Sequence, residues 1–335
     1  MRFFAAAIVF FNHFGRDAVA TWPGWFQECL THGRSAVTFF FMLSGFVLAY
    51  SYLDSNSMTG IRTSKGRFYL NRFGRIYPIY FVALLPALLN KSLGLMQGSV
   101  EANVFWDFPI AASLLQAWIP AWAAVWNPPA WSLSVEAFFY LVFPLIALRL
   151  RQTSIRAILT VVVPLALATA WLRILIQQTH DPLGAFFPLL HLPTFLLGYG
   201  IGRLLRDHPR AFTPSVWPFL VTGIITFAAM SLGSNWLSRP ATAAILELLF
   251  AFLIASLIAL RGPLKTLLSH RYLVLLGEAS YSLYITHMVA MIFAERVAKK
   301  FGLWETPKDS ILFVMLGFAG CLVLSVLLFQ YLETP

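Results

Sequence analysis

Residues 131–148 read WSLSVEAFFYLVFPLIAL, an apolar run holding one ionisable side chain, Glu136. Its length is close to the roughly 20 residues that carry a helix across the hydrocarbon of a bilayer. A charged group inside such a run costs about 2.5–3.5 kcal/mol on insertion scales, so it asks for a reason. The stretch therefore raises two questions together: which solvent surrounds this chain, and what Glu136 does there.

Working outward, comparable runs occupy 3–22, 35–52, 76–96, 155–176, 187–204, 214–232, 241–260, 272–293 and 310–332. With 131–148 that makes ten. Of the 335 residues 59% are hydrophobic and 11% charged, against about 25% charged in an ordinary soluble domain. Too few charges remain to cover a water-exposed surface of this size, and lipid is the expected solvent. Backbone amides in hydrocarbon need internal partners, so the runs are expected to be helices. The fold class expected is all-α: a polytopic membrane bundle of about ten transmembrane helices, forming one domain over 1–335.

The net charge of +10 does not point to nucleic acid, because the basic residues sit between apolar runs and form no basic domain. They read as topology signals. With the N-terminus cytoplasmic, the inner side holds Arg2, then Arg62, Lys65, Arg67, Arg72 and Arg75, then Arg149, Arg151 and Arg156. Arg203, Arg206, Arg210, Arg261, Lys265 and Arg271 complete 15 of the 24 Lys and Arg. Both termini are thus expected in the cytoplasm, with the chain in a bacterial inner or plasma membrane. The loop 98–130 has no Lys or Arg but contains Glu101 and Asp107, which suits the outer side. Its stretch 108–126, with Trp118 and Trp122 leading to Trp126-Asn127-Pro128-Pro129, is expected to be re-entrant or interfacial. A further crossing there would put every later basic cluster outside. Loop 294–309, with Arg296, Lys299, Lys300 and Lys308, goes against the charge rule.

Several patterns have plain readings. Met1-Arg2, an apolar run and Ala18-Val19-Ala20 imitate a secretion signal, but Asn12, His13, Arg16 and Asp17 interrupt it. Gly198 and Gly202 form a GxxxG pair, expected to let two helices pack closely. Cys29 and Cys321 provide neither a disulfide framework nor metal-ligand spacing, and no metal is expected. GxSxG, HExxH, P-loop and GxGxxG patterns are absent.

Three ionisable residues in or at the edge of the apolar runs stand out: Arg2, His13 and Glu136. Eleven helical steps bring Arg2 and His13 to within about 20° of one face and about 16 Å apart along the axis. Glu136, six residues into its run, is expected at a depth similar to that of His13. A hydroxyl attacking a thioester needs a base that works near neutral pH, and histidine is the side chain suited to this. A carboxylate on the far ring nitrogen fixes the tautomer, and arginine at the cytoplasmic edge can hold phosphates. A purely structural account stays open as well: Arg2 reaching to the interface, His13 bonding a carbonyl, and Glu136 paired with an internal arginine.

Motifs along most of the chain add to this reading. Arg2…Ala5…Val9…His13 is similar to an Arg-x10-His motif. Phe39-Phe40-Phe41-Met42-Leu43-Ser44-Gly45-Phe46 is similar to Phe-Phe-x-Leu-Ser-Gly-Phe, and Arg72-Phe73-Gly74-Arg75-Ile76-Tyr77-Pro78 to Arg-x-x-Arg-Ile-Tyr-Pro. Trp131-Ser132-Leu133-Ser134-Val135-Glu136 is similar to Trp-Ser-Leu-x-x-Glu. Near the end, Gly277-Glu278-Ala279-Ser280-Tyr281-Ser282-Leu283-Tyr284-Ile285-Thr286-His287 matches Gly-x-x-Ser-Tyr-x-x-Tyr-x-x-His, and Glu333-Thr334-Pro335 a closing Glu-x-Pro. In this order the set resembles the family-3 membrane acyltransferases, O-acetyltransferases of surface polysaccharides and related acceptors.

The resemblance implies acetyl-CoA, or another acyl-CoA, as a donor entering from the cytoplasm, and a hydroxyl of a surface or lipid-linked glycan as acceptor. It implies His13 as general base oriented by Glu136, with Arg2, Arg72 and Arg75 on the donor phosphates. Ser134, Tyr140 and Tyr281 are expected around the site rather than as reactants. For His287, a carbonyl-bonding histidine and a role at the site are equally open. Expected partners are membrane lipid, the glycan acceptor and a separate envelope protein that handles it. Two other readings are a transporter or flippase of a lipid or organic anion, and an acyltransferase of a small hydrophobic metabolite.

Overall fold

The structure is a computed structural model and describes residues 1–54, 57–96, 106–208, 214–304 and 310–333. Glu101, Arg210, Lys308, Thr334 and Pro335, which carried parts of the sequence reading, lie outside the described residues. Among the described residues fifteen α-helices follow one another. They are α1 Arg2–Phe14, α2 Gly24–Leu30, α3 Gly33–Tyr52, α4 Lys65–Met96, α5 Phe108–Ala112, α6 Trp131–Leu150, α7 Ile155–Gln178 and α8 Leu183–Phe186. Then come α9 Leu192–Asp207, α10 Trp217–Trp236, α11 Arg239–Ala259, α12 Pro263–Leu268, α13 Arg271–Glu278, α14 Ser280–Lys300 and α15 Ile311–Leu328, which runs into a π-helical turn, Phe329–Glu333. Among the described residues the extended structure is one isolated bridge, Leu53 to Ile61.

Among the described residues six helices are long and apolar enough to cross a membrane: Gly33–Tyr52, Lys65–Ser92, Pro128–Leu150, Ile155–Gln178, Arg239–Ala259 and Ile311–Glu333. The pair α13 and α14, bent by 59°, makes a seventh if it counts as one span. The ten crossings expected from the sequence are therefore met by six or seven helices of sufficient length. Shorter apolar helices lie at Arg2–Phe14 and Trp217–Gly233, and α9 has 16 residues. The expected range 3–22 shortens for a local reason. The helix ends at Phe14 beside Gly15, a separate 3-10 turn follows at Asp17–Val19, and Asn12 Nδ2 donates to the carbonyl of Leu30 at 2.7 Å.

The chain divides into two compact units, each discontinuous in sequence. The first comprises Met1–Gly33, Phe73–Ser134 and Arg271–Pro335. In it α1 buries Ala5, Ala6, Val9, Phe10 and Phe14, a face built on steps of four residues. Phe3, Phe10 and Phe11 of α1 gather around Phe318 of α15. The Trp-rich stretch 108–126 forms α5 and the 3-10 turns Gln116–Trp118 and Pro120–Trp122 in place of a long helix. Prolines 109 and 120 remove backbone donors there, and specific bonds fold the segment onto α4. Tyr80 OH donates to the carbonyl of Ala111 at 2.5 Å, Gln116 Nε2 to that of Ala130 at 3.0 Å, and Trp126 Nε1 to Asp107 at 2.7 Å.

The second unit comprises Arg34–Arg72 and Val135–His270. Its closest packing is a glycine seam between α3 and α9. A Cβ at Gly198 would stand 1.8 Å from the carbonyl oxygen of Met42, one at Gly202 2.5 Å from that of Phe46, and one at Gly45 1.9 Å from that of Phe195. Side chains are excluded from both sides of this seam, which is the role expected of the GxxxG pair. The unit also buries a charge cluster. Arg173 of α7 meets Glu247 of α11 at 2.6 Å and His191 at 2.8 Å, and Thr194 of α9 donates to Glu247 at 2.7 Å. These four side chains tie three helices together where lipid cannot solvate them.

Candidate active site

His13 continues the row Ala5–Val9 along α1, one helical repeat beyond the last buried member, and is itself exposed. Its Nδ1 lies 2.9 Å from Nε2 of His287 on α14. The ring centroids are 5.1 Å apart and the planes 16° from parallel. That separation equals the nitrogen–nitrogen distance plus a ring radius at each end, so the rings meet edge to edge, in plane, as a hydrogen bond requires. His287 is 1% exposed and lies among Phe10, Phe14 and Tyr284. Its Nδ1 stands 2.7 Å from the carbonyl oxygen of Tyr284. Among the described residues Nε2 of His13 makes no hydrogen bond.

The start of α14 is held in turn by the end of the Trp-rich loop. Asn127 Nδ2 donates to the carbonyl of Ile285 at 2.9 Å, Ser132 Oγ to Tyr284 OH at 2.8 Å, and Tyr284 OH to the carbonyl of Pro129 at 3.1 Å. The backbone of Ile285 and the side chain of Tyr284, two and three residues before His287, are thereby fixed from the side.

His13 belongs to the first unit and Glu136 to the second, and each has its partners within its own unit. Oε1 of Glu136 accepts from Ser44 Oγ at 2.9 Å and from Tyr140 OH at 2.5 Å. These donors are neutral hydroxyls, and among the described residues no guanidinium stands at hydrogen-bonding distance from this carboxyl. Arg72 stands over the same tyrosine, 5.7 Å from the ring centre of Tyr140 and 5.1 Å from that of Tyr52, and Nη2 donates to Tyr52 OH at 2.8 Å. Nε of Arg72 is buried with no hydrogen-bond partner among the described residues. Arg72, Tyr140, Glu136 and Ser44 thus form one connected polar string. Among the described residues no group of three or more His, Cys, Asp or Glu could hold a metal ion.

The motif order along the chain and these placements can be set against known proteins. A family model described as an acyltransferase domain, that of the family-3 acyltransferases, matches residues 1–330. The chain belongs to the family-3 membrane acyltransferases. With its apolar helices it is an integral membrane protein. The acyltransferase MdmB of Streptomyces mycarofaciens is 29% identical over 324 residues, covering 89% of this chain and 79% of the relative. The Staphylococcus aureus (strain COL) protein SACOL0978, whose name proposes an O-acetyltransferase, is 23% identical over 92% of this chain but 53% of its own length. Nodulation protein 10 of Rhizobium leguminosarum bv. viciae is 25% identical over 87% of this chain and 81% of its own. The chain therefore spans about four fifths of MdmB and about half of the staphylococcal protein. No solved structure matches it.

The remaining motif residues of this acyltransferase fall into place within the first unit. Arg2 opens α1, and Arg75 on α4 pairs with Glu333 of the π-helical turn at 2.9 Å. Ser282 Oγ donates to the other oxygen of Glu333, and Tyr281 OH donates to the carbonyl of Ile76. Ser134 Oγ accepts from the backbone N–H of Ala117 at 3.2 Å, which fastens the Trp-rich loop. Ser44, Tyr52, Asn127, Ser132, Tyr284 and Glu333 were not singled out from sequence as site residues. Five of the six had a signal, since they stand in or beside the quoted motifs, whereas Tyr52 stands in none.

Proposed function

We propose that this acyltransferase moves an acetyl or other short acyl group from a cytoplasmic acyl-CoA to a hydroxyl of a surface or lipid-linked glycan, with His13 as general base. The observation that carries the reading is the state of His13: at the motif position, exposed, one ring nitrogen bonded to His287 and the other unengaged among the described residues. Nε2 takes the proton of the acceptor hydroxyl as its oxygen attacks the thioester carbonyl. The new C–O bond forms, the C–S bond breaks, and the same proton leaves on the departing thiol. The described residues around His13 give no reason to insert an acyl-enzyme step. Direct transfer is the simpler course.

Arg2, Arg72 and Arg75 are assigned to the donor phosphates. Support comes from the unsatisfied Nε of Arg72 and from Arg75, whose side chain is 28% exposed and whose guanidinium has donors beyond those facing Glu333. Glu136 supplies the carboxylate that the motif assigns to the reaction, held by Ser44 and Tyr140. The charge bias of the loops supports ten crossings, both termini in the cytoplasm of a bacterial inner or plasma membrane, and an acceptor presented from the other side with a separate envelope protein.

The decisive experiment measures thiol release from acetyl-CoA by the detergent-purified full chain, with water taking the place of the acceptor hydroxyl and acetate as the second product. His13→Ala is expected to lower the rate by about 10²-fold or more while the protein still extracts from membranes intact. Undiminished release by that variant would end the reading. Mass spectrometry of surface glycans from cells with and without the gene then tests the acceptor class.

A further inference from the structure

The bond between the two imidazoles carries more than proximity, because a neutral imidazole has one donor nitrogen and one acceptor nitrogen. The oxygen of Tyr284, 2.7 Å from Nδ1 of His287, can only accept. Nδ1 of His287 therefore holds that ring's proton, and Nε2 is its lone pair. Nδ1 of His13, 2.9 Å from that lone pair and in plane with it, must then be the donor. Nε2 of His13 is left as the basic nitrogen. One backbone carbonyl thus fixes the protonation pattern of two rings in sequence.

We infer that His287 is the positioning residue of the transfer reaction: it holds His13 in the tautomer protonated on Nδ1 and so presents Nε2 to the acceptor hydroxyl. The inference rests on the assignment of His13 as the base. In a serine-protease triad a carboxylate does this work on the far ring nitrogen, and loss of the correct tautomer there is costly even when the geometry survives. Here a neutral ring does it, itself fixed by a main-chain oxygen of its own helix. The ring cannot tilt away easily, since it is fully buried between Phe10, Phe14 and Tyr284. The carbonyl cannot drift either, because Asn127, Pro129 and Ser132 hold the backbone of Ile285 and the hydroxyl of Tyr284. When Nε2 takes the hydroxyl proton, His13 becomes an imidazolium whose Nδ1–H still points at the lone pair of His287, so the charged state keeps its partner.

The test compares two replacements of His287 in the full chain. His287→Gln keeps an acceptor for His13 and a donor for the Tyr284 carbonyl, whereas His287→Met keeps volume and loses both. With acetyl-CoA as probe and thiol release as readout, His287→Met is expected to lose about 10²-fold in kcat with the donor KM within about twofold. His287→Gln is expected to recover most of that loss. Nitrogen-15 NMR of histidine-labelled protein reads the tautomer itself, with the His13 signal assigned by its absence in His13→Asn. The wild type should carry the His13 proton on Nδ1, and His287→Met should move it to Nε2. A wild-type kcat in His287→Met, equal losses in Met and Gln, or an Nε2-protonated His13 in the wild type would each overturn the inference. An active His13→Ala would instead overturn the base assignment, so the two failures are distinguishable.

Discussion

Arg75 and Glu333 meet at 2.9 Å, a partly exposed arginine side chain against a glutamate side chain that is 1% exposed, and the pair joins two of the motif stretches quoted from the sequence. The pairing with Glu333 can be separated by experiment from the donor binding proposed for Arg75.

Arg75→Ala is expected to lower thermal stability, because it strands a buried carboxylate, and breaking such pairs costs about 3–5 kcal/mol when both partners are closed off. The cost should fall below that range here, since the Arg75 side chain is partly exposed. The double variant Arg75→Ala with Glu333→Gln should regain stability but keep a raised KM for acetyl-CoA. Detergent unfolding curves and donor titrations measure the two quantities separately. A double variant with normal KM would reduce Arg75 to a structural residue.

Around Glu136 the expected order of damage follows the hydrogen bonds. Glu136→Gln should cut kcat most, while Tyr140→Phe and Ser44→Ala each remove one donor to the same oxygen and should cost about 0.5–3 kcal/mol, to be read as a drop in rate. Because both hydroxyls act on one oxygen, their combined effect should depart from the sum of the single effects. Additive losses in a double-mutant cycle would show that the two donors act independently of each other.

Arg173 and Glu247 predict the opposite pattern, stability without chemistry. Glu247→Ala leaves a buried guanidinium without its carboxylate and is expected to destabilise by about 3–5 kcal/mol. Replacing both partners by apolar residues, Arg173→Met with Glu247→Leu, should restore much of the melting temperature. Thiol release per folded molecule should hardly change. A large fall in that specific rate, with the protein fully folded, would bring the cluster into the reaction.

Much of this was legible in the sequence where one residue type has one physical meaning. Apolar runs announced helices, and the GxxxG pair announced a close approach that the carbonyl of Met42 now explains. Length was less legible. The run 3–22 looks continuous by composition, but its α-helix ends at Phe14 beside Gly15 and a separate 3-10 turn follows at Asp17–Val19. His287 shows another limit of pattern reading: bonding a carbonyl and serving the site look like rival roles until two ring nitrogens can be told apart. Glu136 illustrates the same point, since a lone carboxyl in an apolar run suggests an arginine partner, while its donors here are Ser44 and Tyr140. Arg173 and Glu247 were visible as charges within the runs 155–176 and 241–260, but their pairing needed the third dimension.

The glycine seam has a genetic consequence. Ser44 is adjacent to Gly45, whose backbone touches that of Phe195 with no side chain between them, so the hydroxyl that steers Glu136 is set by the spacing of two main chains. Selection for loss-of-function alleles should therefore return codon changes at Gly198 and Gly202, over 60 positions from Glu136 in sequence, alongside those in the motifs. Side-chain changes at Met42 or Phe46 should not suppress such alleles, because the atoms in the way are main-chain carbonyls.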